Sequence, residues 1–97
     1  MSDARRLAET YGIRIEFADL GDWGDATLVA EYEPGTIPII RVNTRLPDTP
    51  RRVDLAIAHE VYHHREAIGE IPRLVNRRAR EAAADAFAHD FLRSGAA

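Results

Sequence analysis

The sequence predicts a single α+β domain, because its predicted strands follow one another while its predicted helices flank them. Three observations support this class. Three short segments rich in alternating or β-branched apolar residues precede residue 43, and helix start and stop signals bound the segments on either side. The length of 97 residues suffices for one modest hydrophobic core. We therefore expect residues 1–97 to form one domain.

The first helix and the first strand are predicted from residue spacing. Gly12 suits the position after a helix over about residues 3–11, because glycine adopts a positive φ without steric cost. Residues 13–17 then alternate apolar and polar side chains, which is typical of a half-buried strand. The apolar residues of the helix recur at helical spacing: Ala4, Leu7, Ala8 and Tyr11.

Two further strands are predicted over 27–33 and 37–42, and a Pro-Gly turn separates them. A loop around Trp23 joins them to the first strand. Pro38 has no N–H to donate to a neighbouring strand, so we expect an exposed edge at the start of the last strand.

Two helices are predicted to complete the chain. Thr49 and Pro50 have the residue types of an N-cap and a first helical position, and Gly69 predicts where that helix ends. In the same way, Pro72 predicts the start of a last helix that continues through Leu92.

The composition excludes several classes of protein. The absence of Cys removes disulfides, thiolate metal sites and a cysteine nucleophile together. A net charge of −3 provides no basic field, so we expect no direct nucleic-acid binding. The first residues contain no apolar segment of the kind found in signal peptides, and no apolar stretch is long enough for a bilayer, so we expect no membrane partner and a cytoplasmic location.

Residues 59–63 form an H-E-x-x-H run within the long predicted helix. Histidines four residues apart lie on one helical face, so His59 and His63 can bind one Zn²⁺ ion. Glu60 is then close enough to accept a proton from a water molecule that the metal activates. The alternative is two surface or core-edge histidines on an amphipathic helix, with Val53, Ile57 and Val61 packed inward. We interpret His64 as structural or solvent-facing.

A catalytic zinc site needs a third protein ligand and one open position, and without Cys that ligand must be His, Asp or Glu. Glu81, Asp85 and His89 overlap the buried sector predicted for the last helix, where ionisable groups are costly unless they are paired or bind metal. Glu81 would then be the third metal ligand. The predicted buried sector comprises Leu74, Val75, Ala82, Ala86 and Leu92.

Asp85 and His89 are predicted to have different roles. Asp85 would accept the N–H of a ligating imidazole and fix its tautomer. His89 would either stabilise the oxyanion of a tetrahedral intermediate as a catalytic residue or cap the edge of the core. The alternative interpretation pairs Arg78 with Glu81 or Asp85 on the helix surface.

Several segments resemble the ImmA/IrrE family of small metallopeptidases, and H-E-x-x-H followed by E-x-x-x-D resembles the wider gluzincins. Two departures from the family pattern are Asp85, where Asn is usual, and Ala83, where a second Glu is often found. The resemblance implies a zincin-like fold, zinc as the cofactor and hydrolysis of a protein or peptide substrate. The segments that carry it are 7–8, 11–13, 40–47, 51–52, 55–60 and 85–88.

The resemblance also gives expectations about substrate and partners. The substrate could be a transcriptional repressor, and its strand would add to a sheet edge formed by 27–33 or 37–42. The size resembles that of the stand-alone minigluzincins, some of which are thought to be self-inhibited by dimerisation, so a homodimer is a further expectation. One alternative is a non-catalytic, zinc-holding interaction module of zincin fold, such as a phage or toxin–antitoxin regulator. A metal-free interaction protein with an incidental His pair is the other.

Overall fold

A computed structural model describes residues 2–21, 29–45 and 49–95 of the chain. The described elements occur in the predicted order of one helix, three strands and two helices, which confirms the α+β class. No described helix has the length and apolar character needed to cross a membrane. The elements are α1 (Asp3–Thr10), β1 (Arg14–Ala18), β2 (Ala30–Glu33), β3 (Ile39–Asn43), α2 (Pro50–Ala67) and α3 (Arg77–Gly95). Trp23, the predicted strand start at 27–28 and residues 46–47 lie outside the described residues.

The ends of the first two helices confirm the predicted capping signals. The backbone N–H of Arg52 donates to Thr49 Oγ1, and Pro50 is the first residue of α2. Gly12 follows α1 with φ of 71°, and Gly69 follows α2 with φ of 77°. Both glycines therefore adopt the left-handed conformation for which the residue type is suited.

The predicted start of the last helix at Pro72 is wrong, because α3 begins at Arg77. The N–H of Ala79 donates to Asn76 Oδ1 over 3.2 Å, so Asn76 provides the N-terminal cap instead. The helix also continues past Leu92 to Gly95.

Four of the five residues predicted for the buried sector of the last helix are exposed, so that prediction is wrong for them. Leu74 and Val75 precede the helix and are exposed, while Ala82 and Ala86 are exposed on its surface. The buried side of α3 is instead formed by Ala84 and Ala88, with the partly buried Phe87, Phe91 and Leu92.

The sheet has the strand order β1-β3-β2. β1 pairs with β3 in parallel, and β2 pairs with β3 in antiparallel, with Ile40 opposite Ile15 on one side and Tyr32 on the other. Since β3 is the central strand, residues 37–42 cannot provide a free edge for a substrate, and that part of the expectation is wrong. β2 is an edge strand of the described sheet, which agrees with the expectation that residues 27–33 form an edge.

The helix α2 lies at the centre of the molecule, where it packs against the other two helices and against β2 and β3. Ile57 and Val61 are fully buried, as predicted, and Val53 packs against the core from its edge. The core stripe therefore holds the neighbouring His59 and His63 in fixed positions. The buried core cluster comprises Ala4, Ala8, Ile13, Ile40, Val42, Ile57, Ala58, Val61 and Ala88.

Candidate metal centre

The two histidines of the H-E-x-x-H run lie one turn apart on α2 with their rings close together. Their Nε2 atoms are 3.2 Å apart, and the ring centroids are separated by 5.0 Å. Their side chains are only 18% and 13% exposed for His59 and His63, so both rings are largely shielded from water. The helical spacing thus directs the same nitrogen of both rings to one point.

Glu81 reaches this point from α3. Its Oε2 is 2.8 Å from His59 Nε2, and its Oε1 is 3.3 Å from His63 Nε2. One ligand atom from each of the three residues lies within 4.8 Å of the other two. Among the described residues, the ion pairs of Glu81 and Asp85 are formed with the two histidines and not with Arg78.

A carboxylate also contacts the opposite nitrogen of each ring. His59 Nδ1–H donates to Asp85 Oδ1 over 2.7 Å, which is the contact proposed for Asp85 from the sequence. His63 Nδ1–H donates to Glu66 Oε1, also over 2.7 Å. The sequence reasoning missed Glu66, although its position three residues after His63 on the same helix is a signal for this contact.

Glu66 is held in turn by Arg80 of α3. Arg80 Nε donates to Oε2 over 3.1 Å, and Nη2 donates to Oε1 over 3.2 Å. The Glu66 side chain is only 1% exposed. Burial by itself would raise the pKa of Glu66, but the hydrogen bonds from Arg80 and His63 outweigh burial and hold that pKa below its ordinary value.

The chemistry of this donor set fits a divalent cation. In the tautomer whose Nδ1–H donates to Asp85 or Glu66, each Nε2 presents a lone pair to the point where the Glu81 carboxylate also lies. Such electron-rich groups repel one another unless a proton or a cation lies between them. Two imidazole nitrogens on one tetrahedral Zn²⁺ would be about 3.3 Å apart, which is close to the Nε2–Nε2 distance here.

Glu60 lies on the buried side of α2 beside these ligands. The residue is only 9% exposed, and desolvation raises the pKa of its carboxyl group to about 7, against the opposing effect of the two histidines. A carboxyl group with a pKa near neutrality is well matched to proton transfer at physiological pH.

The other two histidines occupy different positions. His89 is exposed, and its Nδ1–H donates to the backbone carbonyl of Asp85, one turn earlier on α3. None of its described contacts joins it to His59, His63 or Glu81. His64 is buried and hydrogen-bonded through Nδ1 to the hydroxyl of Tyr32 over 2.6 Å, which supports the structural interpretation rather than the solvent-facing one.

A helix bearing two histidines and a second helix bearing a glutamate, packed on a small mixed sheet, define a protein of the zincin-like α+β class. A family model described as "IrrE N-terminal-like domain" (Peptidase_M78) matches residues 8–94. The chain therefore belongs to this family, and the resemblance to the ImmA/IrrE family is confirmed. The family suggests a zincin-like metallopeptidase or regulator domain. No curated protein and no solved structure matches the chain.

Proposed function

We propose that this protein is a zinc-dependent endopeptidase in which His59, His63 and Glu81 bind the ion and Glu60 transfers the proton. The observation that carries this proposal is the convergence of three ligand side chains from two helices beside a buried carboxyl group. The choice of zinc follows from the two imidazoles and the carboxylate, a set found in catalytic zinc sites.

The proposed chemistry divides between the ion and the protein. A bound Zn²⁺ ion supplies Lewis acidity, which polarises a peptide carbonyl and lowers the pKa of water to about 7. Glu60 accepts a proton from the attacking water and returns it to the amine of the leaving peptide. Asp85 and His59 maintain the tautomer in which the Nε2 lone pair is available.

A peptide substrate would add to the edge of β2 that no other described strand occupies. Main-chain hydrogen bonds provide most of the affinity in this mode of recognition, and side-chain selectivity is weak. The hydrogen bond between Tyr32 of β2 and His64 of α2 ties this edge strand to the helix that carries the ligands. A transcriptional repressor as substrate and a self-inhibiting homodimer are proposals that rest on the resemblance to the family.

The second candidate is a zinc-holding interaction module that does not cleave its partner. The exposure of the Glu81 and Asp85 side chains, 46% and 67%, favours it because the described residues leave this side of the site shallow. Both candidates require zinc, so metal content alone cannot separate them.

Cleavage chemistry separates the two candidates. The purified protein is incubated with a defined peptide library, and new termini are identified by mass spectrometry. The endopeptidase predicts cleavage that EDTA stops, that added zinc restores and that Glu60→Gln abolishes while zinc content is retained. Glu9→Gln, on the exposed face of α1, is a matched control. Cleavage by zinc-loaded Glu60→Gln at the wild-type rate would refute the proposed role of Glu60.

A further inference from the structure

We infer that Glu66 and Arg80 together form a positioning device for the metal site, in which Arg80 fixes the Glu66 carboxylate and that carboxylate orients the His63 ring. This inference deepens the proposed function and rests on its assignment of His63 as a metal ligand. Its basis is the geometry of the three side chains.

The first step of the argument concerns the burial of Glu66. A carboxylate whose side chain is 1% exposed carries a large desolvation cost and is retained only where its oxygens have strong partners. Both oxygens have such partners, because the guanidinium fork of Arg80 contacts each of them. The fork holds the plane of the carboxylate as well as its position.

The second step concerns how the Glu66 carboxylate, held by Arg80, orients the His63 ring. The same Oε1 that accepts from Arg80 also accepts His63 Nδ1–H, so the ring has its Nε2 directed at the ligand cluster. A carboxylate at the remote nitrogen of a metal-binding imidazole fixes its tautomer and raises its basicity. Glu66 therefore acts on the metal through His63, without touching it.

The third step concerns the spacing of the two helices. Arg80 immediately precedes Glu81 on α3, and Glu66 lies three residues after His63 on α2. The Arg80–Glu66 pair thus connects α3 to α2 beside the place where Glu81 must meet the two histidines. Loss of the pair would loosen the position of His63 and of the third ligand together.

A comparison with the other orienting carboxylate gives the inference a quantitative form. Asp85 contacts His59 Nδ1 over the same distance, but its side chain is 67% exposed and water can replace it. Glu66 is enclosed, so no solvent can take its place. Removal of an orienting partner typically weakens metal binding about 10- to 100-fold. We expect the upper part of this range for Glu66 and the lower part for Asp85.

The test measures the zinc dissociation constant of the full chain by competition with a chelating dye. Glu66→Gln keeps the size of the side chain but removes its charge, and it should raise the constant by an amount in the upper part of the range of about 10- to 100-fold. Arg80→Gln should have a smaller effect in the same direction. Glu70→Gln is the matched control, because the Glu70 carboxylate accepts from Tyr11 and Arg65 rather than from a ligand histidine.

A spectroscopic readout separates positioning from general stabilisation. With Co²⁺ in place of zinc, Glu66→Gln should change the visible absorption bands of the ion, and Glu70→Gln should leave them unchanged although both variants lose a carboxylate. An unchanged zinc dissociation constant and unchanged Co²⁺ bands in Glu66→Gln would overturn the inference.

A measurement on the zinc-free wild type keeps the test independent of whether the variants fold. Two-bond ¹H–¹⁵N spectra of the neutral imidazole rings should show His63 as the Nδ1–H tautomer, and the Nε2–H tautomer would overturn the inference. The outcomes also separate the two proposals. Tight zinc binding without peptide cleavage contradicts the endopeptidase alone, whereas metal-dependent cleavage with wild-type zinc affinity in Glu66→Gln contradicts only the positioning role.

Discussion

Glu60→Gln is expected to stabilise the zinc-free protein at alkaline pH. The folded protein raises the pKa of Glu60 from an ordinary value of 4.5 to about 7, because burial disfavours the charged carboxylate. Between these two values the folded chain holds a proton that the unfolded chain has released. The stability associated with the protonated group is therefore fully present below pH 4.5 and is lost as the pH rises through about 7.

The magnitude follows from the two pKa values. Each pKa unit corresponds to about 1.4 kcal/mol, so this difference in pKa between the folded and unfolded chains lowers the free energy of unfolding by about 3 kcal/mol at pH 8 and about 1 kcal/mol at pH 5. Glutamine has nearly the same shape and does not titrate. The stability advantage of the variant over the wild type should thus grow by about 2 kcal/mol between pH 5 and pH 8.

Urea denaturation of EDTA-treated protein at both pH values measures this difference. The change with pH is the readout, because any constant effect of the amide on packing cancels between the two conditions. Glu9→Gln controls for the loss of one negative charge from an exposed position. If the difference between Glu60→Gln and the wild type is the same at pH 5 and pH 8, the burial argument for Glu60 is refuted.

Three further predictions concern the metal, a helix cap and the core. Zinc at 1,000 times its dissociation constant should stabilise the wild type by about 4 kcal/mol in thermal unfolding, and His63→Ala should lose this gain; equal stabilisation of both would contradict the ligand assignment. Asn76→Ala should destabilise the fold by about 1 kcal/mol in urea, with Asn76→Ser near wild type; an unaffected alanine variant would argue against the cap. Ile57→Ala should cost about 2–5 kcal/mol and Ile57→Val about 0.5–1.5, measured in the same way, and similar small losses for both would contradict full burial of Ile57.

Local signals predicted most of the fold, because caps, stops and alternation act over a few residues. Thr49 and Gly69 bound α2 as the sequence predicts. The failure at Pro72 is equally local, since Asn76 offers a side-chain acceptor for a free N–H and proline at a first position offers none. The central position of β3 was not predictable in this way, because its parallel pairing with β1 depends on how distant segments pack.

The candidate site also combines residues whose positions follow from local helical spacing with residues whose positions depend on packing between helices. The alignment of His59 with His63 is fixed by helical geometry, so the sequence alone predicts it. Helical spacing does not determine whether Glu81 comes close to the two histidines, because this contact requires α2 and α3 to pack side by side. Glu66 was overlooked because its importance depends on Arg80, and that contact crosses between the helices.

The arrangement of α2 explains why one residue links stability to the proposed chemistry. Ile57 and Val61 direct one side of the helix into the core, and Glu60 lies close enough to that side to be only 9% exposed. The same desolvation that makes ionised Glu60 unfavourable in the folded state increases its affinity for a proton. In the zinc-free protein, the cost to folding and the raised pKa of Glu60 thus have the same cause, which is the burial of its carboxyl group. A variant that exposes Glu60 to water should lose both together, whereas Glu60→Gln should gain stability at pH 8 and lose only the proton transfer.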